Sequence, residues 1–257
     1  MTTWDRARVL ITGGTRGIGY AVATLVAGAG GEVTVVGTDQ ERANQVAKAL
    51  GRAHGIGWVI DGCEAGAKDL VDRAARLMGG LTGVVNAAGG ATVGHALEVP
   101  WQIWQQDWNV KFWGYFALIR AAIPYLKPTG GTVVNILGVT GKDPNPKLAP
   151  ATAINGALRG LTKILADDLA EHGIRVVAVN PGATETGLLV RMAQGYATID
   201  ALSVDEALKR LRSSGPLGQL PSAYDVAQAV KFLLSEEARL ITGTSLDIDG
   251  GAHRGPA

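Results

Sequence analysis

The sequence predicts an α/β fold: one doubly wound parallel sheet of about seven strands with helices on both faces. Two observations lead there. Short apolar, β-branched runs alternate with amphipathic helical stretches along the whole chain, which implies βαβ crossovers. Glycine, 36 of 257 residues, concentrates at strand-to-helix junctions, where it marks turns and close backbone approaches.

Each element follows in order. Arg8–Thr12 (RVLIT) reads as a buried first strand and Ile18–Ala29 as the helix after it. Glu32–Val36 and Gln40–Leu50 form the second strand and helix, Gly57–Ile60 a weak third strand, and Ala65–Met78 the third helix. Gly83–Asn86 is the fourth strand and Trp101–Leu126 a long helix; Gly131–Leu137 is the fifth strand, and Ala151–His172 a second long helix. Ile174–Asn180 is the sixth strand, Asp205–Leu211 and Tyr224–Leu234 are helices, and Thr244–Ile248 is the last strand. No linker or repeat interrupts the pattern, so residues 1–257 read as a single domain.

Composition narrows the function. Lys plus Arg number 24 against 23 Asp plus Glu, a net charge of +1 that gives no electrostatic case for nucleic acid or an anionic membrane. Cys63 is the one cysteine, which fits a reducing compartment. No apolar run reaches the about 18 residues of a membrane span. Met1–Arg8 lacks the apolar core of a signal peptide, so the expected location is the cytoplasm. The histidines His54, His95, His172 and His253 show no ligand spacing, and no metal site is expected.

The first strand runs directly into Thr12-Gly13-Gly14-Thr15-Arg16-Gly17-Ile18-Gly19 and then into a helix. Gly13 can take the sharp turn, while Gly17 and Gly19 let backbone approach a pyrophosphate at the positive end of the helix. This strand–turn–helix context is that of a Rossmann-type dinucleotide-binding fold. The T-G-x-x-x-G-x-G spacing resembles the short-chain dehydrogenase/reductase family, and the resemblance extends over almost the whole chain. Asn86-Ala87-Ala88-Gly89 is similar to the family's N-x-A-G element, and Asp61 to its adenine-contacting aspartate at the end of the third strand. Asn109 matches its helix asparagine, Pro181-Gly182 its P-G motif, and Thr186 the threonine that meets the nicotinamide amide. Ile241–Gly251 (ITGTSLDIDGG) matches its closing strand. The resemblance implies a dinucleotide held by Gly13, Thr15, Arg16, Gly17, Ile18, Gly19, Thr38, Asp61, Asn86, Ala87, Gly89, Asn155, Pro181, Gly182 and Thr186.

A carboxylate ending the second strand would bond the adenosine ribose and reject a 2′-phosphate. Gly37 and Thr38 stand there instead, and Asp39 reads as a helix cap. Arg16 is a cation for a 2′-phosphate, so NADP is expected ahead of NAD.

Family members use a serine after the fifth strand and a Tyr-x-x-x-Lys on the next helix. The lysine pulls the phenol, near 10 in isolation, toward neutrality for acid–base work. Here Gly138, Ala151 and Asn155 occupy those three places. No serine occurs in residues 1–202 and no tyrosine between Tyr125 and Tyr196, so no shift of register restores them. Candidate catalytic residues are therefore Asn109, Lys142, whose ammonium lies a few residues past the lost serine, and Asn155; Thr140 and Asp143 are weaker ones. Asn155 could still bond a ribose hydroxyl, but carries no charge to shift a pKa.

Trp101, Trp104 and Trp108 fall on one helical face and read as core or subunit interface, in keeping with a homodimer or homotetramer. Gly187–Gly215 is where the family places its substrate lid; its Leu188, Leu189, Met192 and Tyr196 suggest a small-molecule substrate with an apolar or aromatic moiety. Three functions stay open: an NAD(P)-dependent oxidoreductase on a carbonyl or alcohol with non-standard acid–base residues, a non-redox lyase, isomerase or dehydratase, and a catalytically silent dinucleotide-binding subunit.

Overall fold

In a computed structural model that describes residues 4–213 and 215–254, seven parallel strands form one sheet in the order β3-β2-β1-β4-β5-β6-β7. They are β1 (Arg8–Thr12), β2 (Glu32–Gly37), β3 (Ala53–Gly57), β4 (Gly83–Asn86), β5 (Thr132–Ile136), β6 (Arg175–Pro181) and β7 (Ser245–Ile248). Residues 1–3 of the polar N-terminal stretch, residue 214 of the expected lid and residues 255–257 lie outside the described residues.

Strand alternation divides the core into two layers. Leu10, Val84, Val133 and Val176 face α3 (Glu64–Met78), α5 (Gly114–Leu126) and α6 (Ala149–Leu169). Val9, Ile11, Val85, Val134 and Val177 face the other way, onto α1 (Gly17–Gly28) and α9 (Ala223–Leu234). Both faces of each central strand are thus covered, the usual condition for a parallel sheet.

The third strand differs from expectation: β3 is Ala53–Gly57, and 58–60 leave the sheet. The reason is packing against α2 (Gln40–Leu50). A Cβ on Gly55 would lie 2.5 Å from the Ala43 carbonyl group, and one on Gly57 2.7 Å from Gln40 Cα. Only glycine lets the helix approach this closely, so the strand lacks the β-branched signature. Asp61 accordingly sits four residues beyond the end of β3, not at it.

The long helix expected over Trp101–Leu126 is helical throughout but not uniform. It comprises α4 (Trp101–Asp107), a π-helical turn (Trp108–Trp113) and α5. The segment 187–215, where a lid is expected, carries an unexpected helix, α7 (Gly187–Asp200), capped by Thr186, before α8 (Val204–Arg212), which begins with a Ser203/Glu206 capping box. Among the described residues no helix is long and apolar enough to cross a membrane.

Candidate active site

The sheet's order reverses between β1 and β4, and ligands of such folds sit outside the carboxyl ends of the strands at that point. The loops leaving the two strands meet there. Thr12 Oγ1 accepts from the backbone N–H of Ala87 at 3.2 Å and of Ala88 at 3.3 Å. Gly13 has φ +65°, and a Cβ on it would stand 2.7 Å from Ala87 O; one on Gly19 would stand 2.4 Å from Gly13 O. The glycine turn is therefore shaped by sterics at Gly13 and Gly19. Arg16, at the N-cap of α1, makes no side-chain cap.

Two cavities open along this edge. The first, of ≈ 1060 Å³, runs from the glycine turn past Arg16, Thr38 and Arg42 to Asp61 and Asn109. The second, of ≈ 540 Å³, lies between Lys111, Gly138, Ala151 and Asn155 on one side and Leu189, Met192 and Tyr196 of α7 on the other. They share Ile18, Ala87, Ala88, Gly89, Thr186 and Leu188 as walls. Gly13, Thr15, Gly17 and Gly19 line the first cavity, and Pro181 and Gly182 the second. Asn86 lies beneath, fully buried, its amide donating to Asn135 Oδ1 at 2.9 Å.

The end of β2 forms one wall of the first cavity. A Cβ on Gly37 would lie 2.5 Å from Thr15 Cγ2, so Thr15 fills the place of a strand-end carboxylate. Asp39 caps α2, accepting from the Arg42 N–H at 2.6 Å. Arg42, absent from the sequence reading, reaches Thr15 O through Nε at 3.4 Å and stands with Arg16 around the same opening.

The second cavity collects the chemistry. Asn155 Nδ2 donates to Thr140 Oγ1 at 2.9 Å, while Asn155 Oδ1 is buried without a partner. An orphaned acceptor in the wall of the second cavity fits a ligand hydroxyl, and the glycine turn in the first fits a pyrophosphate; the residues present thus fit a dinucleotide. Lys142 is elsewhere: it does not line the cavity, and its ammonium pairs with Asp247 at 3.0 Å. Asn109 stands in the first cavity with Asp61, away from Gly138 and Ala151.

The cavity's buried cation is Lys111, which sequence reasoning missed because a lysine in a helix reads as solvated. It is 8% exposed, and Nζ donates to Leu137 O at 2.7 Å. Burial, partly offset by Asp107, pulls its pKa down from 10.5 to about 8. Tyr115 OH donates to Ala88 O at 2.9 Å, and burial pushes its phenol further up, away from acid–base use. The Tyr196 phenol is likewise raised by burial, and its oxygen accepts from Asn145 Nδ2 at 3.0 Å. That bond and the Lys147–Asp200 ion pair fasten α7 to the proline-rich loop between β5 and α6, which carries Pro144 and Pro146. His253 also lines the cavity, with Nε2 buried and unpartnered and Nδ1 3.8 Å from Asp247 Oδ2.

Comparison with known proteins agrees with this geometry. A family model described as enoyl-(acyl carrier protein) reductase matches residues 13–253. The 2-(S)-hydroxypropyl-CoM dehydrogenase 3 of Xanthobacter autotrophicus is 32% identical over 248 residues, 95% of each chain. The solved 3-ketoacyl-(acyl-carrier-protein) reductase of Brucella melitensis complexed with NADH superposes with a TM-score of 0.86 at 31% identity, covering 98% of this chain and 100% of that one. A short chain dehydrogenase of Burkholderia cenocepacia in complex with NADP gives 0.85 at 31% identity, covering 96% and 98%. The chain belongs to the short-chain dehydrogenase/reductase family of oxidoreductases.

Proposed function

We propose that the protein is an NADP(H)-dependent oxidoreductase that interconverts a carbonyl and an alcohol on a small molecule with an apolar or aromatic part, using acid–base groups other than the family's serine, tyrosine and lysine. The observation that carries this is that the two cavities share Gly89, Thr186 and Leu188 as walls, so that a dinucleotide lying in the first would end beside the second, the substrate chamber. When bound, the dinucleotide supplies or accepts the hydride. The chain's residues bind and orient: the glycine turn holds the pyrophosphate, Asn155 Oδ1 accepts from a ribose hydroxyl, and Thr186 meets the nicotinamide amide. The blocked carboxylate site at Gly37, with Arg16 and Arg42 beside it, favours a 2′-phosphate. Leu189, Met192 and Tyr196 give the chamber its apolar wall.

Fluorescence titration with NADPH and NADH, then single-turnover assays over a panel of aromatic and aliphatic ketones, aldehydes and alcohols, test the reading. Tight NADPH binding with hydride transfer is expected. Product formed without net dinucleotide turnover would instead make the protein a lyase, isomerase or dehydratase. Trp101, 70% exposed, extends the proposal to assembly as a homodimer or homotetramer, which light scattering checks.

A further inference from the structure

Resting on the oxidoreductase reading above, we propose that Lys111 is the acid–base residue of the reaction, delivered into the substrate chamber by the π-helical turn Trp108–Trp113. In reduction it gives its proton to the substrate oxygen; in oxidation it takes that proton back.

The argument begins with the walls. Gly138 and Ala151, which face the chamber, carry no polar side-chain atom. Among the described residues, the titratable groups that do face it are Lys111, Tyr115, Asp143, Tyr196 and His253. The Tyr115 hydroxyl is committed to backbone carbonyls, and the Tyr196 oxygen is engaged by Asn145. Asp143 sits half-exposed on the proline-rich loop. His253 is turned toward Asp247, and its backbone N–H is tied to Asp249 at 2.8 Å. Among the described residues of the chamber wall, Lys111 combines burial with two uncommitted N–H groups, and His253, whose Nε2 is buried and unpartnered, is the rival that the test includes. Leu137 O occupies one of the three Lys111 N–H groups, at the residue directly before Gly138.

The local backbone explains how a lysine comes to lie there. A π-turn accommodates a residue that a regular helix would not, and such turns concentrate at functional sites. Here the turn is gripped from outside. A Cβ on Gly114 would fall 2.4 Å from Ile60 Cγ2, and one on Gly62 2.9 Å from Trp113 Cβ. From the inside the Lys111 stem lies along Gly89, where a Cβ would be 3.4 Å from Lys111 Cδ. The stem thus packs along Gly89 while the ammonium reaches Leu137 O, at the cavity wall.

When bound, the reduced dinucleotide supplies the hydride that reduces the carbonyl carbon and is itself oxidised. As the C=O π pair moves onto oxygen, a Lys111 N–H bond breaks and an O–H bond forms. The neutral amine regains a proton from water. Burial and Asp107, which lies on the lysine's own helix and is held by Thr92 Oγ1 at 2.7 Å, set its titration, while Asp143, His253, Tyr115 and Tyr196 are the other titratable groups facing the chamber.

The test uses wild type, Lys111→Met, Lys111→Arg and His253→Gln. In ¹⁵N-lysine-labelled protein without dinucleotide, the ζ resonance missing from Lys111→Met should titrate near 8. In the reduction assay kcat/KM of wild type should fall above that pH. Both Lys111 variants should lose about 10²–10⁴-fold in kcat/KM, with NADPH affinity held within about threefold. Arginine keeps the charge but does not release its proton, so it decides the matter even if the methionine variant fails to fold. Activity of either variant within about threefold of wild type would overturn the proposal. So would a pH limb that disappears in His253→Gln, or a Lys111 resonance titrating at the ordinary lysine value. A wild type that binds NADPH yet transfers no hydride would overturn the oxidoreductase reading, and Lys111 with it.

Discussion

Gly37→Asp is the substitution that would install a ribose-binding carboxylate, and the structure predicts that it fails on its own. The new Cβ would lie 2.5 Å from Thr15 Cγ2 and 2.7 Å from Thr15 Oγ1. Carbon pairs prefer about 3.5–4.0 Å, so Thr15 would have to retreat by about 1 Å. Thr15 is only 9% exposed, in the turn before α1, and cannot swing into solvent. Overpacking of this kind costs about 1–3 kcal/mol, which for a chain of this size lowers Tm by about 2–12 °C. The single variant therefore loses stability without gaining NADH. Adding Thr15→Ala removes both close atoms and leaves only the Cβ at 3.2 Å. The double variant should recover most of the loss, bind NADH more tightly and NADPH more weakly. Thermal unfolding followed by tryptophan fluorescence, with parallel cofactor titrations, reads both effects. The reasoning is refuted if Gly37→Asp alone melts within about 1 °C of wild type, or if it gains NADH affinity without the second change.

Further outcomes follow from the ion pairs and the buried amine. Lys111 has a folded pKa near 8, below its unfolded value of 10.5, so the unfolded chain binds more protons between those pH values and stability rises with pH across that window. At pH 7 the buried charge costs about 3 kcal/mol, and Lys111→Met should be more stable than wild type there, with the difference closing by pH 10.5 in urea titrations. Lys142→Met should lower unfolding free energy by about 1–3 kcal/mol, because it strips Asp247 of its cation, and chemical denaturation measures this. Tyr196→Phe combined with Asp200→Asn unfastens α7 from its loop; substrate KM should rise more than kcat falls, and amide exchange of α7 should quicken.

The sheet was legible because its central strands are apolar and β-branched, and the glycine turn after β1 because Gly13 and Gly19 are dictated by backbone contact. What escaped was governed by tertiary contact. Gly55 and Gly57 form a strand with no strand-like composition, since the sheet ladder uses backbone atoms and α2 leaves no room for side chains. The π-turn has no periodic signature over six residues, and it rotates Lys111 inward while leaving Asn109 beside Asp61. Lys142 looked available from its place in a loop; its partner Asp247 lies 105 positions away in sequence. Helix α7 was hidden by Gly187 and Gly195, yet a Cβ on Gly195 would meet Val93 at 2.6 Å, so the glycine serves docking and not flexibility.

Thr186 ties these features together. Its hydroxyl accepts from the Leu188 N–H at 3.3 Å, capping α7, and its methyl faces Gly17 across the seam of the two cavities. Any ligand group that engages this hydroxyl acts on the first turn of α7. Helix order and occupancy are then reciprocal: whatever steadies one steadies the other by the same factor. A ligand that engages Thr186 should therefore slow amide exchange in the first turn of α7, and loss of the cap should weaken that ligand's binding in proportion.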